Sequence, residues 1–384
     1  MDFDLTDEQR LLKDSVDRMI EDAYGDFEKR KAYRAEPLGW SEALWKQYAE
    51  LGLLGLPFEE RHGGFGGGAV ETMIVMEALG RGLAVEPYLA TVILGGGFLR
   101  HGGSEAQQDT FIPRIAEGTL RLAFAQTERQ ARYDLFDIAT TAKREGDGFV
   151  IDGEKGVVLH GDSADMLVVS ARTSGSRRDR EGITLFLVPA DAAGVTRTGY
   201  PTQDGLRGAE IAFSNVRVGQ DAVLGEIGQG LPLIERVVDE ALAAVSAEAV
   251  GAMDALQTTT VDYLKTRQQF GTTIGSFQAL QHRAADMLVA LEQARSMAMY
   301  AAMMSEAADP RERRAAVAAA KVQINDSGRF VGEQSVQLHG GIAMTMEYKA
   351  GHYFKRLTMI ENLFGDTEYQ LRAVAEAEDV LVAD

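Results

Sequence analysis

The apolar positions along the chain change period twice. Up to about residue 120 they recur at helical spacing, with Leu12, Val16, Met19 and Ile20 on one side of a 3.6-residue turn. Thr6 followed by Gln9 has the spacing of a capping box, in which the two side chains satisfy free amides at a helix start. Residues 70–79 predict a further helix, and Pro113 is expected just ahead of another short helical turn. The glycine groups at 63–68 and 95–97 are expected to separate these helical segments.

Between about 121 and 220 the period shortens. Residues 138–143 and 149–152 flank Gly146-Asp147-Gly148, a turn sequence that supplies the positive φ a tight hairpin needs. Residues 166–171, 183–188 and 209–218 are further runs of β-branched and large apolar side chains. Short strands at close spacing, with no helix between them, predict an antiparallel barrel or sandwich rather than a parallel sheet. The charged stretch 174–181 is expected as an exposed loop. From about Leu231 the helical period returns. Leu242, Val245, Ala249, Met253 and Leu256 share a face, and 287–302 and 311–331 also predict helices. Such helices bury their stripes against one another as a bundle. The order helical, β, helical divides the chain at 1–120, 121–230 and 231–384, with no internal repeat.

Composition changes this picture mainly by exclusion. A chain of 384 residues has room for two or three domains of roughly 100–200 residues each. It has no cysteine, which removes disulfides, thiolate zinc sites, iron–sulfur clusters and cysteine nucleophiles. His62, His101, His160, His282, His339 and His352 are scattered without metal-ligand spacing, so no metal site is expected. A formal charge of −19 argues against nucleic acid as a partner, because phosphate binding needs a basic face. The apolar runs are broken by charge or glycine, so no membrane span is expected. Met1-Asp2-Phe3-Asp4 is acidic where a secretory signal is basic, and a cytoplasmic location is the expectation.

No nucleotide fingerprint is present. The glycines at 63–68 follow a helical stretch rather than a strand, so they are expected as a loop. Neither a P-loop nor a G-x-S-x-G elbow occurs. Two other segments carry more. Arg267-Gln268-Gln269-Phe270-Gly271, then Ile274-Gly275-Ser276-Phe277-Gln278, interrupts two helices with a Gly-containing turn. It is either an ordinary helix connection or an arginine and an amide placed for a phosphate-bearing ligand. Gln337-Leu338-His339-Gly340-Gly341 puts paired glycines at a helix end, as a plain C-cap or as a close backbone approach to a dinucleotide.

In this order and spacing the segments resemble the acyl-CoA dehydrogenase family, whose pattern is R-x-Q-F-G-x-x-I-x-x-F-Q and later Q-x-x-G-G. Leu51-Gly52-Leu53-Leu54-Gly55-Leu56, Glu77-Ala78-Leu79-Gly80, Gln126-Thr127-Glu128, Gly153-Glu154-Lys155, Gly205-Leu206-Arg207-Gly208 and Val223-Leu224-Gly225 extend the match over nearly the whole chain. The resemblance implies an α+β multidomain fold: an N-terminal helical domain, a central antiparallel β-barrel or sandwich and a C-terminal four-helix bundle. It implies non-covalent FAD, usually in a tetramer built from dimers, and α,β-dehydrogenation of an acyl-CoA thioester to the 2-enoyl-CoA. Electron-transfer flavoprotein is the acceptor it implies. By the same resemblance Gln126, Thr127 and Val158 meet the flavin. Arg267, Phe270 and Gln278 contact the pyrophosphate and adenosine across a subunit interface. Gln337, Gly340 and Gly341 approach the same cofactor, and Thr367 lies near its phosphate end.

Two departures stand out. Val157-Val158-Leu159 replaces the family's Trp-Ile-Thr against the flavin. The family's Tyr-Glu-Gly-Thr, which carries the catalytic base, aligns with Phe364-Gly365-Asp366-Thr367, leaving Gly365 where the glutamate belongs. The alternative base pattern, Asp-x-Glu-Arg, aligns with Asp239-Glu240-Ala241-Leu242 and leaves Ala241. Asp366, one residue from the first position, is the leading substitute. Glu240 is turned about 100° round the helix from the second position, and Glu248 lies about 10 Å further along it. The base can also be absent from this chain. The altered segments resemble small subunits of heteromeric acyl-CoA dehydrogenases such as pimeloyl-CoA dehydrogenase. That implies bulky or dicarboxylyl acyl groups and a heterotetramer with a homologous subunit, beside the homo-oligomer. The two functions implied are a dehydrogenase subunit that turns over acyl-CoA and a non-catalytic partner that completes the FAD site of a homologous chain.

Overall fold

The computed structural model describes residues 5–377. The first helices are α1 (Asp7–Tyr24), α2 (Phe27–Ala35), α3 (Glu42–Glu50), α4 (Ala69–Gly82), α5 (Gly96–Gly102) and α6 (Glu105–Ala116). The strands follow: β1 (Leu122–Ala125), β2 (Thr141–Glu145), β3 (Gly148–Leu159), β4 (Met166–Arg172), β5 (Ile183–Pro189), β6 (Val195–Pro201), β7 (Arg207–Gly219) and β8 (Val223–Leu224). The chain then forms α7 (Gly230–Thr266), α8 (Gln278–Ser305), α9 (Pro310–His339), α10 (Lys349–Asn362) and α11 (Thr367–Ala377). These form two compact units. One comprises the segment ending at Ala32, Gly68–Ala84 and the chain from Leu242; the other comprises Tyr33–Gly67 and Val85–Ala241.

The first unit is helical. The Thr6 hydroxyl accepts from the Gln9 amide and the Gln9 side chain accepts from the Thr6 amide, so the expected capping box starts α1. Val16, Met19 and Ile20 are its buried stripe. On α7 the predicted face of Leu242, Val245, Ala249, Met253 and Leu256 is buried, and so are the alanines at 243, 244, 247 and 252. Small residues let other backbones close on this helix. A Cβ on Gly80 of α4 would lie 1.9 Å from the Glu248 carbonyl oxygen, and one on Gly251 would lie 1.8 Å from the Glu77 carbonyl oxygen. The α4 and α7 backbones therefore touch at a crossing made by one glycine from each helix.

The second unit is built round one sheet, ordered β6-β7-β3-β2-β4-β5-β8 with β1 beside β4. The expected turn at Gly146-Asp147-Gly148 forms, with Glu145 pairing Gly148 across two residues and Gly146 at φ of +60°. Ile151, Leu167, Val169, Phe186, Val188, Ile211 and Val216 fill its core. Most pairings are antiparallel. However, β1 runs parallel to β4, and Thr141 of β2 meets Arg172 of β4 in parallel, so the sheet is mixed where a purely antiparallel one was expected. The irregular stretch between β1 and β2 replaces a tight hairpin and lets β1 keep the direction of β4.

Two local expectations are corrected. The glycines at 95–97 do not break a helix: Gly95 ends a π-helical turn, Leu89–Gly95, that continues into α5. A Cβ on Gly95 would lie 2.3 Å from the Leu122 Cβ, and one on Gly96 2.5 Å from the Phe58 ring, so packing demands the glycines. Pro113 lies inside α6, in its last turn, rather than ahead of a helix. No helix of the described residues is long and apolar enough to cross a membrane.

Candidate active site

In the β unit, Lys155 organises the segment that follows β1. Its buried ammonium donates to a Glu128 carboxylate oxygen at 2.8 Å, the Ser170 hydroxyl at 3.0 Å and the Gln126 carbonyl at 3.2 Å. The Gly156 amide donates to the Thr127 carbonyl at 2.8 Å, so β3 grips residues 126–128 at two points. Glu128 also accepts from the Ala139 and Thr140 amides, which fixes the stretch leading into β2. Burial by itself would raise the Glu128 carboxyl, but Lys155 outweighs it and holds it down to about 2. Burial lowers Lys155 to about 8 against the pull of Glu128.

This frame sets out the flavin-side candidates. Thr127 is exposed. Gln126 is buried; its amide donates to the Leu135 carbonyl at 2.7 Å, while its Oε1 has no partner among the described residues. The β3–β7 register slips between Lys155 and Val158, and at this bulge Val157 has φ of +50°, uncommon for a β-branched residue. Glu210 accepts from the Val157 amide at 3.4 Å and from the Tyr200 hydroxyl at 2.9 Å. Val157 points outward, whereas the Val158 side chain belongs to the sheet core, leaving only its backbone for a ligand.

In the helical unit, the Arg267–Gln278 candidates sit on the turn between α7 and α8, where Phe270 is 90% exposed. Arg267 and Gln278 are exposed as well. Tyr263, one turn before Arg267, stacks on His339 at 4.6 Å between ring centroids. That contact brings the turn to the end of α9, where Gln337, Gly340 and Gly341 lie exposed. A Cβ on either glycine would meet open space. Burial lowers the His339 imidazole, whose Nδ1 lies 2.8 Å from the Ser335 carbonyl, so the ring is neutral at pH 7.

Phe364-Gly365-Asp366-Thr367, between α10 and α11, lies against another part of α9. Lys321 approaches the Gly365 carbonyl at 3.5 Å and precedes Gly340 by nineteen residues, roughly 28 Å of helix. Thr367 and the paired glycines are therefore not brought together within one chain. The Thr367 hydroxyl is buried without a partner among the described residues. Asp366 is the N-cap of α11: its carboxylate accepts from the Tyr369 amide at 2.9 Å and its carbonyl from the Gln370 amide at 3.0 Å.

The other carboxylates near base positions are committed. Glu240 lies 2.6 Å from Arg100, 2.7 Å from His101 and 3.1 Å from Arg236; burial would raise its carboxyl, but these groups lower it. Glu248 is buried against Arg356, which donates to both its oxygens at 2.6 and 2.7 Å. Ala241 is wholly buried.

In the β unit an unpartnered, buried amide oxygen suits a flavin ring donor; in the helical unit a helix end with two bare glycines suits the close backbone approach that a pyrophosphate needs. Comparison with known proteins agrees. Residues 6–119, 123–216 and 228–378 match the models of the N-terminal, middle and C-terminal domains of acyl-CoA dehydrogenase. The class is thus a flavin-dependent oxidoreductase. More narrowly, the chain belongs to the acyl-CoA dehydrogenase family, and its cofactor is FAD. It is 32% identical to the probable acyl-CoA dehydrogenase YngJ of Bacillus subtilis, over 98% of this chain and 99% of that protein. Among solved structures it is similar to the FAD complex of PigA, at 26% identity and a TM-score of 0.91, over 99% of this chain and 100% of that one. It is also similar to a chain of the ChsE4-ChsE5 complex of Mycobacterium tuberculosis, at 25% identity and a TM-score of 0.87, over the full length of both.

Sequence reasoning located the motif segments but assigned no role to the groups that hold them. Lys155 and Glu128 were visible only as motif letters. Lys321 had a readable signal: a single lysine follows Ala318-Ala319-Ala320 inside an apolar stretch, where a charge is out of place unless something anchors it. The Tyr200–Glu210 pair had none, since it forms across the β6–β7 ladder.

Proposed function

We propose that this chain serves FAD-dependent α,β-dehydrogenation of an acyl-CoA thioester as the subunit of a heteromeric enzyme whose catalytic carboxylate lies on a homologous chain. One observation carries the reading: the three candidate carboxylates are all engaged, Glu240 with Arg100, His101 and Arg236, Glu248 with Arg356, and Asp366 as a helix cap. The reaction moves the α-proton to a carboxylate and the β-hydrogen, with its electron pair, to the flavin, leaving a carbon–carbon double bond. The base must therefore reach the α-carbon in its ionised form. This chain's part is to present Gln126 and Thr127 on the frame held by Lys155, and Gly340 and Gly341 beside Arg267. The separation of Thr367 from those glycines supports an assembly in which different copies serve the two ends of a cofactor. Similarity to a two-component complex supports the heteromer. Bulky or dicarboxylyl acyl groups are the substrates that accompany such subunits, electron-transfer flavoprotein the acceptor and the cytoplasm the setting.

The test is the visible spectrum of the purified chain during anaerobic addition of short, long, dicarboxylyl and steroid-like acyl-CoAs. The flavin band should persist with the chain alone and bleach once a homologous subunit is mixed in. Bleaching by the chain alone, abolished in Asp366→Asn, would overturn the reading and make Asp366 the base. Asparagine caps a helix as well as aspartate does, so that variant leaves the fold intact.

A further inference from the structure

Gly365 is not simply a position that lacks a glutamate. Its φ is +118°, and a Cβ built there would lie 2.3 Å from the Tyr369 Cδ1 and 2.7 Å from the Gln370 Nε2. Real Cβ atoms do not approach other atoms this closely, so something must move. The Gln370 amide is the far end of a flexible side chain and can swing. The Tyr369 ring atom is close to its own backbone, in the first turn of α11, and has little travel. The surroundings hold the ring and the loop in place. The Arg314 guanidinium lies 5.9 Å from the Tyr369 ring centroid and donates to the Gln370 Oε1 at 3.1 Å. Gln370 in turn donates to the Phe364 carbonyl at 2.7 Å, and Lys321 approaches the Gly365 carbonyl at 3.5 Å.

We propose that Tyr369 is a positioning residue that occupies the space of a side chain at 365, so that this loop accepts a carboxylate there only when the ring is removed. The inference rests on the reading that the family's base position is Gly365, and it adds that the position is closed by its neighbour. The bare position at 365 and the ring at 369 are then one structural arrangement. Introducing glutamate alone cannot undo it.

A double-mutant cycle on the full-length holoprotein tests this. Gly365→Ala and Gly365→Glu are each made in the wild type, in Tyr369→Phe and in Tyr369→Ala, and melting temperatures are compared. The backbone cost of a positive φ is common to all backgrounds and cancels. The loss on substituting Gly365 should be as large in Tyr369→Phe as in the wild type, and should fall to about half or less in Tyr369→Ala. Equal losses in all three backgrounds would overturn the proposal. A second readout is acyl-CoA-dependent bleaching of the chain alone, expected in Gly365→Glu/Tyr369→Ala and not in Gly365→Glu. Bleaching by Gly365→Glu alone would also overturn it. The melting cycle needs no substrate, so its outcome is independent of the heteromeric function: bleaching by the unmodified chain would sink that function and leave the cycle to be read by itself.

Discussion

Two buried lysines, one in each compact unit, hold candidate site segments by different means. Lys155 meets a carboxylate, Glu128, at 2.8 Å. Lys321 instead donates to the Asn325 amide oxygen at 2.6 Å and to the Ile360 and Glu361 carbonyls at 2.8 and 3.2 Å, with the charges of Glu361 and Asp366 acting from further off. Burial lowers both ammonium groups, Lys155 to about 8 and Lys321 to about 7. In both, burial is the larger influence and nearby carboxylates pull the other way. Each arrangement also has its own weak point. The ion pair fails when one partner leaves, because the other remains as a buried unpaired charge. The carbonyl cage can release its lysine as a neutral amine.

The largest effect should come from breaking the pair. Glu128→Gln leaves Lys155 without its counter-charge and should cost about 3–5 kcal/mol in chemical denaturation. Lys321→Met removes the charge and its donors together. It should cost less, about 1–3 kcal/mol, for carbonyls left without a donor. Equal losses in the two variants would break the comparison.

The pH dependence sharpens it. Both amines are depressed below their unfolded value near 10.5, so the unfolded chain binds more protons in the interval between, and stability from these groups rises with pH there. The rise begins near pH 7 for Lys321 and near pH 8 for Lys155. Urea midpoints measured from pH 7 to 9.5 should climb less steeply in Lys321→Met than in the parent; identical slopes would remove Lys321 as the titrating group. The smallest effect is at the helix cap. Asp366→Ala should cost about 1 kcal/mol and Asp366→Asn only a few tenths. A loss in Asp366→Asn as large as that in Asp366→Ala would assign the carboxylate a charge-based role beyond capping.

Local signals carried much of the fold. The capping box at Thr6, the hairpin at Gly146 and the stripe on α7 each depend on residues close in sequence, and each forms as its spacing predicts. The failures are non-local. Gly95 and Gly96 look like helix breakers, but their use is set by Leu122 and Phe58, whose approach no local pattern encodes. Strand β6 shows no apolar run, because it lies at the sheet edge and none of its residues is buried. The site shows the same limit. Its motif segments were legible, and the helical angle already turned Glu240 away from the base position. Its capture by Arg100 and His101 was not legible, nor was the ring that closes Gly365.

The crossing of α4 and α7 bears on how this protein would look to anyone mapping function by mutation. At Gly80 and Gly251 even a methyl group would be driven into the facing main chain. In a saturation screen scored by activity, both positions would therefore tolerate nothing and rank with the most sensitive sites of the molecule. Each would be misread as catalytic. A screen that also scores folded protein would sort them correctly, since at these two places abundance and turnover fall together, whereas the cofactor role proposed for Thr127 and Gln337 predicts that turnover falls alone there.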